Sequence, residues 1–258
     1  MAAGTPCGAW PDKRCYMAQI KAVFFDAAGT LFETREPVGE SYARFARANG
    51  VETSAWDVDA AFRRTFRDTP PLAFGLAHKP EELRHLERDW WREVVKRTFS
   101  GLGEFSDFEA FFDSLFAFFA DPARWVADPE GPPTLRILRE RGLMLGIISN
   151  FDYRLYGILD GIALRHWFDS ITISSEAGYA KPSERMFEMA LARHQLAPGE
   201  AIHVGDSEHL DVAGATAAGL GAVLIDRHRR KRIEFADRIA RVSTLSAIVD
   251  AVSFFDAW

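Results

Sequence analysis

Four short apolar runs in this chain each end on residues able to handle an anion. Asp26 follows VFF, Ser149 and Asn150 follow LGII, Lys181 lies a few residues past ITIS, and Gly205-Asp206-Ser207 follows IHV. A carboxylate such as Asp26 can attack phosphorus and split one difficult displacement into two easier ones, provided that the phosphoryl charge is neutralised meanwhile. Lys181 can supply part of that neutralisation. Magnesium can supply the rest: it takes oxygen ligands in an octahedron, keeps several waters and suits two carboxylates from different strand ends, here Asp26 and Asp206. Ser149 and the backbone N–H groups of the loops around Gly29, Thr30 and Asn150 can hold phosphoryl oxygens. Taken singly, Ser149 reads as a helix cap, Lys181 as a surface lysine and Asp211 as a polar residue near a helix start. Only the set points to chemistry.

These residues meet only if their strands lie side by side, because ligands of an open α/β sheet sit outside the carboxyl ends of the strands. IKAVFF at 20–25, closed by Gly29 and Thr30, has the β-branched and aromatic profile of a buried parallel strand. After Pro132 and Pro133 the chain alternates. A helix to Arg141 precedes a strand at 143–148, a helix near 153–160 a strand at 171–174, a helix at 183–194 a strand at 201–204, and a helix around 209–218 a strand at 222–225. Repeated β-then-α units predict a parallel sheet covered on both faces.

From about Pro37 to Asp128 the pattern is helical instead. VGESYARFARANG stops at Gly50, Ser54 and Asp57 pair to open the next helix, a third spans Pro80 to Phe99, and Ser106 with Glu109 caps a fourth through FFDSLFAFF. The expected architecture is a Rossmann-like α/β core (18–34 and 130–258), an all-helical insertion (35–129) and a loose N-terminal tail (1–17), with Met17 an alternative start.

A chain of 258 residues with 48% hydrophobic content can bury an ordinary core. Its formal net charge of -6 argues against neutralising DNA phosphates or docking on anionic lipid, so neither nucleic acid nor membrane is expected as a partner. The basic run His228 to Arg232 is expected to be a solvated surface. Cys7 and Cys15, both in the tail, can form neither a disulfide framework nor a four-ligand zinc site, which fits a reducing cytoplasm. No run approaches the ~18 apolar residues of a membrane span, and the N-terminus lacks the basic-then-apolar order of a secretory signal.

The ordered set Asp26-Ala27-Ala28-Gly29-Thr30, Ser149, Lys181 and Gly205-Asp206-Ser207 with Asp211 resembles the four motifs of the haloacid dehalogenase superfamily. The resemblance spans about 20–226, and the helical insertion looks like that family's helical cap of the first type. EPVGESYARFARANG, SNFDYRL and SEAGYAKPSERMF are similar to its subgroup of haloacid dehalogenase-like hydrolase domain-containing proteins. The resemblance implies a magnesium-dependent phosphatase acting on a small phosphorylated metabolite through an aspartyl-phosphate. It makes Asp26 the nucleophile, Asp26, Asp206 and the Ala28 carbonyl the metal ligands, and Gly29, Thr30, Ser149, Asn150 and Lys181 the phosphate-holding group. Asp211 and Ser207 are supporting residues. Monomer and homodimer both remain open.

The chain departs from the family's phosphatases at Ala28, where a second aspartate usually protonates the leaving alcohol. General acid–base help is typically worth 10²–10⁴, so simple alkyl phosphates should turn over poorly. A good leaving group, such as an acyl or aryl phosphate, is one escape. Another is a replacement acid, for which Glu33, Glu36, His78 and Glu176 are candidates. A third is phosphonate cleavage through a cap lysine, with Lys79 or Lys96 forming a Schiff base. Dehalogenation by Asp26 and a role in binding phospholigands without turnover are further alternatives. Arg35, Arg63, Arg64 and Arg67 could meet a second anionic group, Trp90 or Trp91 could face the cleft, and hinges are expected near Phe32–Pro37 and Asp128–Pro133.

Overall fold

AVFF (β1, Ala22–Phe25) is buried at all four positions, as a strand must be when helices cover both faces of its sheet. A computed structural model of the protein describes residues 19–256 except Ala77, Arg230 and Asp237. The 1–17 tail with Cys7, Cys15 and Met17 lies outside the described residues.

The chain then runs β2 (Phe32–Thr34), α1 (Val38–Ala48), α2 (Ala55–Asp68), α3 (Pro80–Phe99), α4 (Phe108–Ala120), β3 (Trp125–Ala127), α5 (Gly131–Glu140) and β4 (Met144–Ser149). There follow α6 (Arg154–Gly161), β5 (Ser170–Ile173), α7 (Ser174–Ala177), α8 (Glu184–Arg193) and β6 (Ala201–Gly205). A π-helical turn (Glu208–Ala213) leads into α9 (Gly214–Ala217), β7 (Gly221–Ile225), β8 (Ile233–Ala236), β9 (Ile239–Val242) and α10 (Ile248–Asp256).

Seven strands form one sheet in the order β5-β4-β1-β6-β7-β9-β8, parallel throughout except for the β8–β9 hairpin. Alternate residues of each strand feed different layers. Val23, Phe25, Leu145 and Ile147 pack with α5, α6 and α10, whereas Ala22, Phe24 and Ile148 meet Met186, Phe187 and Ala190 of α8. Register decides what converges: Phe25 lies opposite Ile147 on one side and Val204 on the other. Asp26, Ser149 and the Gly205-Asp206 pair therefore leave the sheet at one edge, and Asp26 N donates to Val204 O at 2.8 Å.

Helices α1 to α4 share their own aromatic core, with Tyr42, Phe99, Phe111 and Phe112 buried at its centre. Two strands unseen in the sequence carry the chain in and out of this insertion: β2 and β3 pair antiparallel, Phe32 opposite Ala127 and Thr34 opposite Trp125. Each is three residues long, too short for a periodic signal. The insertion is tied to the core by Ser174 Oγ donating to Leu72 O at 2.6 Å, Trp91 Nε1 to Asp152 Oδ2 at 2.6 Å and Tyr153 N to Glu87 Oε1 at 3.2 Å. At Gly178, φ is +72° and an added Cβ would stand 2.5 Å from Gly75 O, so the two backbones touch because no side chain intervenes.

Three local expectations need correction. The cap of α4 is Asp107, whose carboxylate accepts from Ala110 N at 3.0 Å; the helix starts one residue later than a Ser106 cap requires. The helix expected over 209–218 opens as the π-helical turn, a widening that recurs at functional sites. The β8–β9 hairpin and α10 extend the sheet beyond the last strand expected from the alternation.

Candidate active site

Lys181 links two of the strand-end acids. Its ammonium is 2% exposed, with Nζ 2.8 Å from Asp26 Oδ1 and 2.6 Å from Asp211 Oδ1. Burial alone would lower its pKa, but the Asp26 and Asp211 carboxylates outweigh that and hold it above the usual lysine value. Asp211, equally buried, is pulled the other way: desolvation would raise it, whereas Lys181 and His203 hold its carboxyl well below the usual range. The side-chain hydrogen bonds of Asp211 close this network. Oδ1 also receives His203 Nε2 at 2.9 Å, and Oδ2 receives Ser207 N at 3.0 Å.

His203 was not evident from the sequence as a site residue. Its only signal there is one imidazole in the otherwise apolar strand AIHV. It is buried, and desolvation lowers its pKa against the pull of Asp211, which keeps the ring neutral. Nε2 carries the hydrogen toward Asp211, leaving Nδ1 a buried acceptor without a partner.

Asp26, Asp206 and Asp211 bring carboxylate oxygens within 4.8 Å of one another. The Asp206 carboxyl has its pKa pushed up to about 6, first by partial burial among its neighbours and then by the Asp26 and Asp211 carboxylates. Three acids against one lysine leave negative charge in excess, and a hard divalent cation fits that surplus. With Asp211 consumed by Lys181, His203 and Ser207 N, and Asp26 Oδ1 paired with Lys181, the oxygens left for such an ion are Asp26 Oδ2 and those of Asp206.

Gly29 carries the loop past Asp206. Its φ is +85°, and an added Cβ would stand 2.6 Å from Asp206 Oδ2, so glycine suits the position on both counts. Arg227, also missed in the sequence, holds this loop from behind, donating to Gly29 O at 2.6 Å, Thr30 O at 2.8 Å and Asp128 Oδ2 at 2.8 Å. Thr30 is fully buried with Oγ1 unpartnered, and the backbone N–H groups of this turn are bonded within the loop, Gly29 N to Phe32 O at 2.9 Å and Thr30 N to Ala27 O at 3.2 Å. Ser149 closes β4, 3% exposed. The Asn150 side chain clasps Lys181: Oδ1 accepts from Lys181 N at 2.8 Å and Nδ2 donates to Lys181 O at 3.0 Å. Ser207 caps the π-helical turn by accepting from Leu210 N at 3.1 Å.

Three of the four candidate replacements for a missing acid are engaged elsewhere. Glu36 takes Ser41 Oγ at 2.7 Å and Arg44, His78 bonds Phe74 O at 2.8 Å, and Glu176 accepts from Tyr156 at 2.7 Å. Glu33 is exposed on β2, and Lys79 and Lys96 are exposed on α3 or at its cap. Arg35 bonds Ala123 O at 3.2 Å, Arg63 pairs with Asp59 and Arg67 with Asp68, while Arg64 is exposed. In the basic run, Arg229 and Lys231 meet Glu234 and Arg232 meets Asp250, as befits a solvated surface.

The model of the haloacid dehalogenase-like hydrolase family matches residues 20–219, which contain every residue of the network around Lys181. The chain belongs to this family. Among its curated relatives, the human haloacid dehalogenase-like hydrolase domain-containing protein 3 is 36% identical over 211 residues, covering 80% of this chain and 82% of the relative. Glyceraldehyde 3-phosphate phosphatase of Methanothermobacter thermautotrophicus is 29% identical over 216 residues, 80% of this chain and 86% of that one. The solved structure of a phosphatase of this family from Thermococcus onnurineus superposes with a TM-score of 0.63 at 25% identity, covering 90% of this chain and 98% of that one. Family membership makes the protein a hydrolase. No helix among the described residues is long and apolar enough to cross a membrane.

Proposed function

We propose that this hydrolase cleaves a phosphoric monoester of a small metabolite, with Asp26 as nucleophile and magnesium held by Asp26, Asp206 and the Ala28 carbonyl. The observation that carries the reading is Lys181, buried between Asp26 and Asp211 at 2.8 Å and 2.6 Å. A buried ammonium beside a nucleophilic carboxylate neutralises an incoming phosphoryl group without solvent reorganisation. The phosphatase names of two relatives point the same way.

Asp26 Oδ attacks phosphorus, the ester P–O bond breaks with its electron pair on the leaving oxygen, and Asp26 carries the phosphoryl group. Water then attacks phosphorus and returns Asp26 and inorganic phosphate. Lys181, with Ser149 and loop N–H groups, holds the transferred oxygens; Asn150 and Asp211 fix Lys181, and His203 and Ser207 N fix Asp211. Magnesium, when bound, supplies charge neutralisation and orientation of the phosphoryl oxygens. The α1–α4 insertion acts as a cap over the site, hinged at 32–37 and 128–133, and excludes water when closed. The cytoplasm is the expected location.

The test is release of 4-nitrophenol from its phosphate with and without magnesium, for wild type and Asp26→Asn. Hydrolysis that requires both metal and Asp26 supports the reading. Its absence in folded wild-type protein sinks it.

A further inference from the structure

Resting on the phosphatase reading, we infer that Asp152 is a positioning residue: it fastens the insertion, through Trp91, to the loop that sets Lys181 beside Asp26. Asp152 is completely buried three residues past Ser149, and no step of the proposed reaction uses it. Its two oxygens take four hydrogen bonds. Oδ1 accepts from Arg154 N at 3.0 Å and Arg154 Nε at 2.9 Å, and Oδ2 accepts from Arg154 Nη2 at 2.6 Å and Trp91 Nε1 at 2.6 Å. Oδ1 thus serves only the turn into α6, whereas Oδ2 also reaches α3 of the insertion, 61 residues away in sequence.

From Asp152 the connection to the reacting groups is short and continuous. Phe151 N donates back to Ser149 O at 3.0 Å, a tight turn that leaves little slack between Asp152 and Asn150. Asn150 clasps both backbone groups of Lys181, at 2.8 Å and 3.0 Å, and Lys181 Nζ stands 2.8 Å from Asp26 Oδ1. The series Trp91, Asp152, Asn150, Lys181 and Asp26 therefore runs from the insertion to the attacking carboxylate through hydrogen bonds and one turn. The residues after Asp152 repeat the grip. Tyr153 N donates to Glu87 Oε1 at 3.2 Å, and the Arg154 guanidinium lies 5.0 Å from the ring centre of Trp91 and 4.1 Å from that of Phe116.

Stability alone does not call for this arrangement. Stripping water from a buried carboxylate and guanidinium offsets much of their attraction, and apolar residues of similar volume often fill such a place as well. What Asp152 and Arg154 supply is direction. An opening of the insertion must part Trp91 from Asp152, so the loop that holds Lys181 is fully braced only while the insertion is docked. Substrate then meets a fixed lysine in the closed state, and the site loosens as it opens for product to leave.

The experiment sets wild type against Trp91→Phe, which removes the indole N–H and keeps a ring beside Arg154. Trp90→Phe, which removes an indole N–H bonded within the insertion to Pro70 O at 2.8 Å, is the control. With 4-nitrophenyl phosphate, kcat per folded protein should fall about tenfold in Trp91→Phe with KM within about twofold, and Trp90→Phe should match wild type. In an Asn150→Ala background the Trp91→Phe loss should shrink to below about twofold, because the link it acts through is gone. Hydrogen exchange of the Lys181 amide, which donates to Asn150 Oδ1, should quicken about tenfold in Trp91→Phe while the β1 amides stay unchanged. Asp152→Asn should act in the same direction on all three readouts and serves if Trp91→Phe does not fold. A loss confined to melting temperature, losses that multiply with Asn150→Ala, or equal effects of the two tryptophan variants overturn the positioning role alone. If folded wild type turns over no ester and Asp26 captures no beryllium fluoride with magnesium, the phosphatase reading falls, and Lys181 exchange by itself then decides whether Asp152 sets that lysine.

Discussion

Arg227 joins Asp128 to the loop that follows Asp26: one guanidinium reaches Asp128 Oδ2, Gly29 O and Thr30 O, all within 2.8 Å. Asp128 N in turn donates to Leu31 O at 2.9 Å. The exit from the helical insertion and the loop after Asp26 are thereby one unit. Arg227→Gln should lower kcat by up to ~10²-fold, the scale of a small misplacement of reacting groups, with KM little changed. Steady-state kinetics of Arg227→Gln, Asp128→Asn and the double variant check this; effects that simply add would show that the two residues do not act together.

Restoring a carboxylate at position 28 should widen the substrate range. Ala28→Asp is expected to raise turnover of simple alkyl phosphates by up to ~10²–10⁴ and to gain far less on 4-nitrophenyl phosphate, whose leaving group needs little help. Parallel kcat/KM measurements on both esters decide it: equal gains on the two would mean that protonation is not what position 28 lacks.

The seam between insertion and core should weaken as pH rises. Glu87 is fully buried, accepts from Tyr153 N at 3.2 Å and leaves Oε2 without a partner. Its pKa is pushed up from 4.5 to about 7, first by burial, with the Asp152 carboxylate adding to it. A carboxyl whose folded pKa lies above its unfolded value binds its proton more tightly when folded. Its stabilisation is therefore complete below about 4.5 and is lost as pH climbs to about 7. The difference is on the order of 3 kcal/mol at most. Glu87→Gln should flatten this loss; thermal unfolding of both proteins from pH 4.5 to 8 measures it, and parallel curves would rule out Glu87 as its source.

Magnesium should raise the melting temperature by mass action on the folded state. Because Asp206 must be ionised to bind and has a pKa of about 6, the increase should shrink as pH falls below that value. Asp206→Asn should abolish most of it. Differential scanning fluorimetry across pH is the check, and an equal magnesium response in that variant would remove Asp206 from the ligand set.

Much of this molecule is written in local pattern. Runs such as VFF, LGII and IHV are buried parallel strands because only strands covered on both faces are apolar at successive positions, and a polar residue ending such a run marks the ligand edge of the sheet. Asp26, Ser149 and Asp206 could be placed at that edge for that reason, as could the helical block between the first two core strands; Lys181, beyond β5 and α7, was singled out by its resemblance to a family motif and not by ending a strand. What tertiary structure decided is partnership. That Asp211 receives both Lys181 and His203, that Asn150 clasps Lys181 and that Arg227 grips Gly29 and Thr30 depends on strand register and on contacts between residues distant in sequence. The three-residue strands β2 and β3 and the buried Glu87 were invisible for the same reason. A short ribbon exists only because its partner lies across the insertion, and a buried glutamate in an amphipathic helix looks like a solvated one until the surface it meets is known.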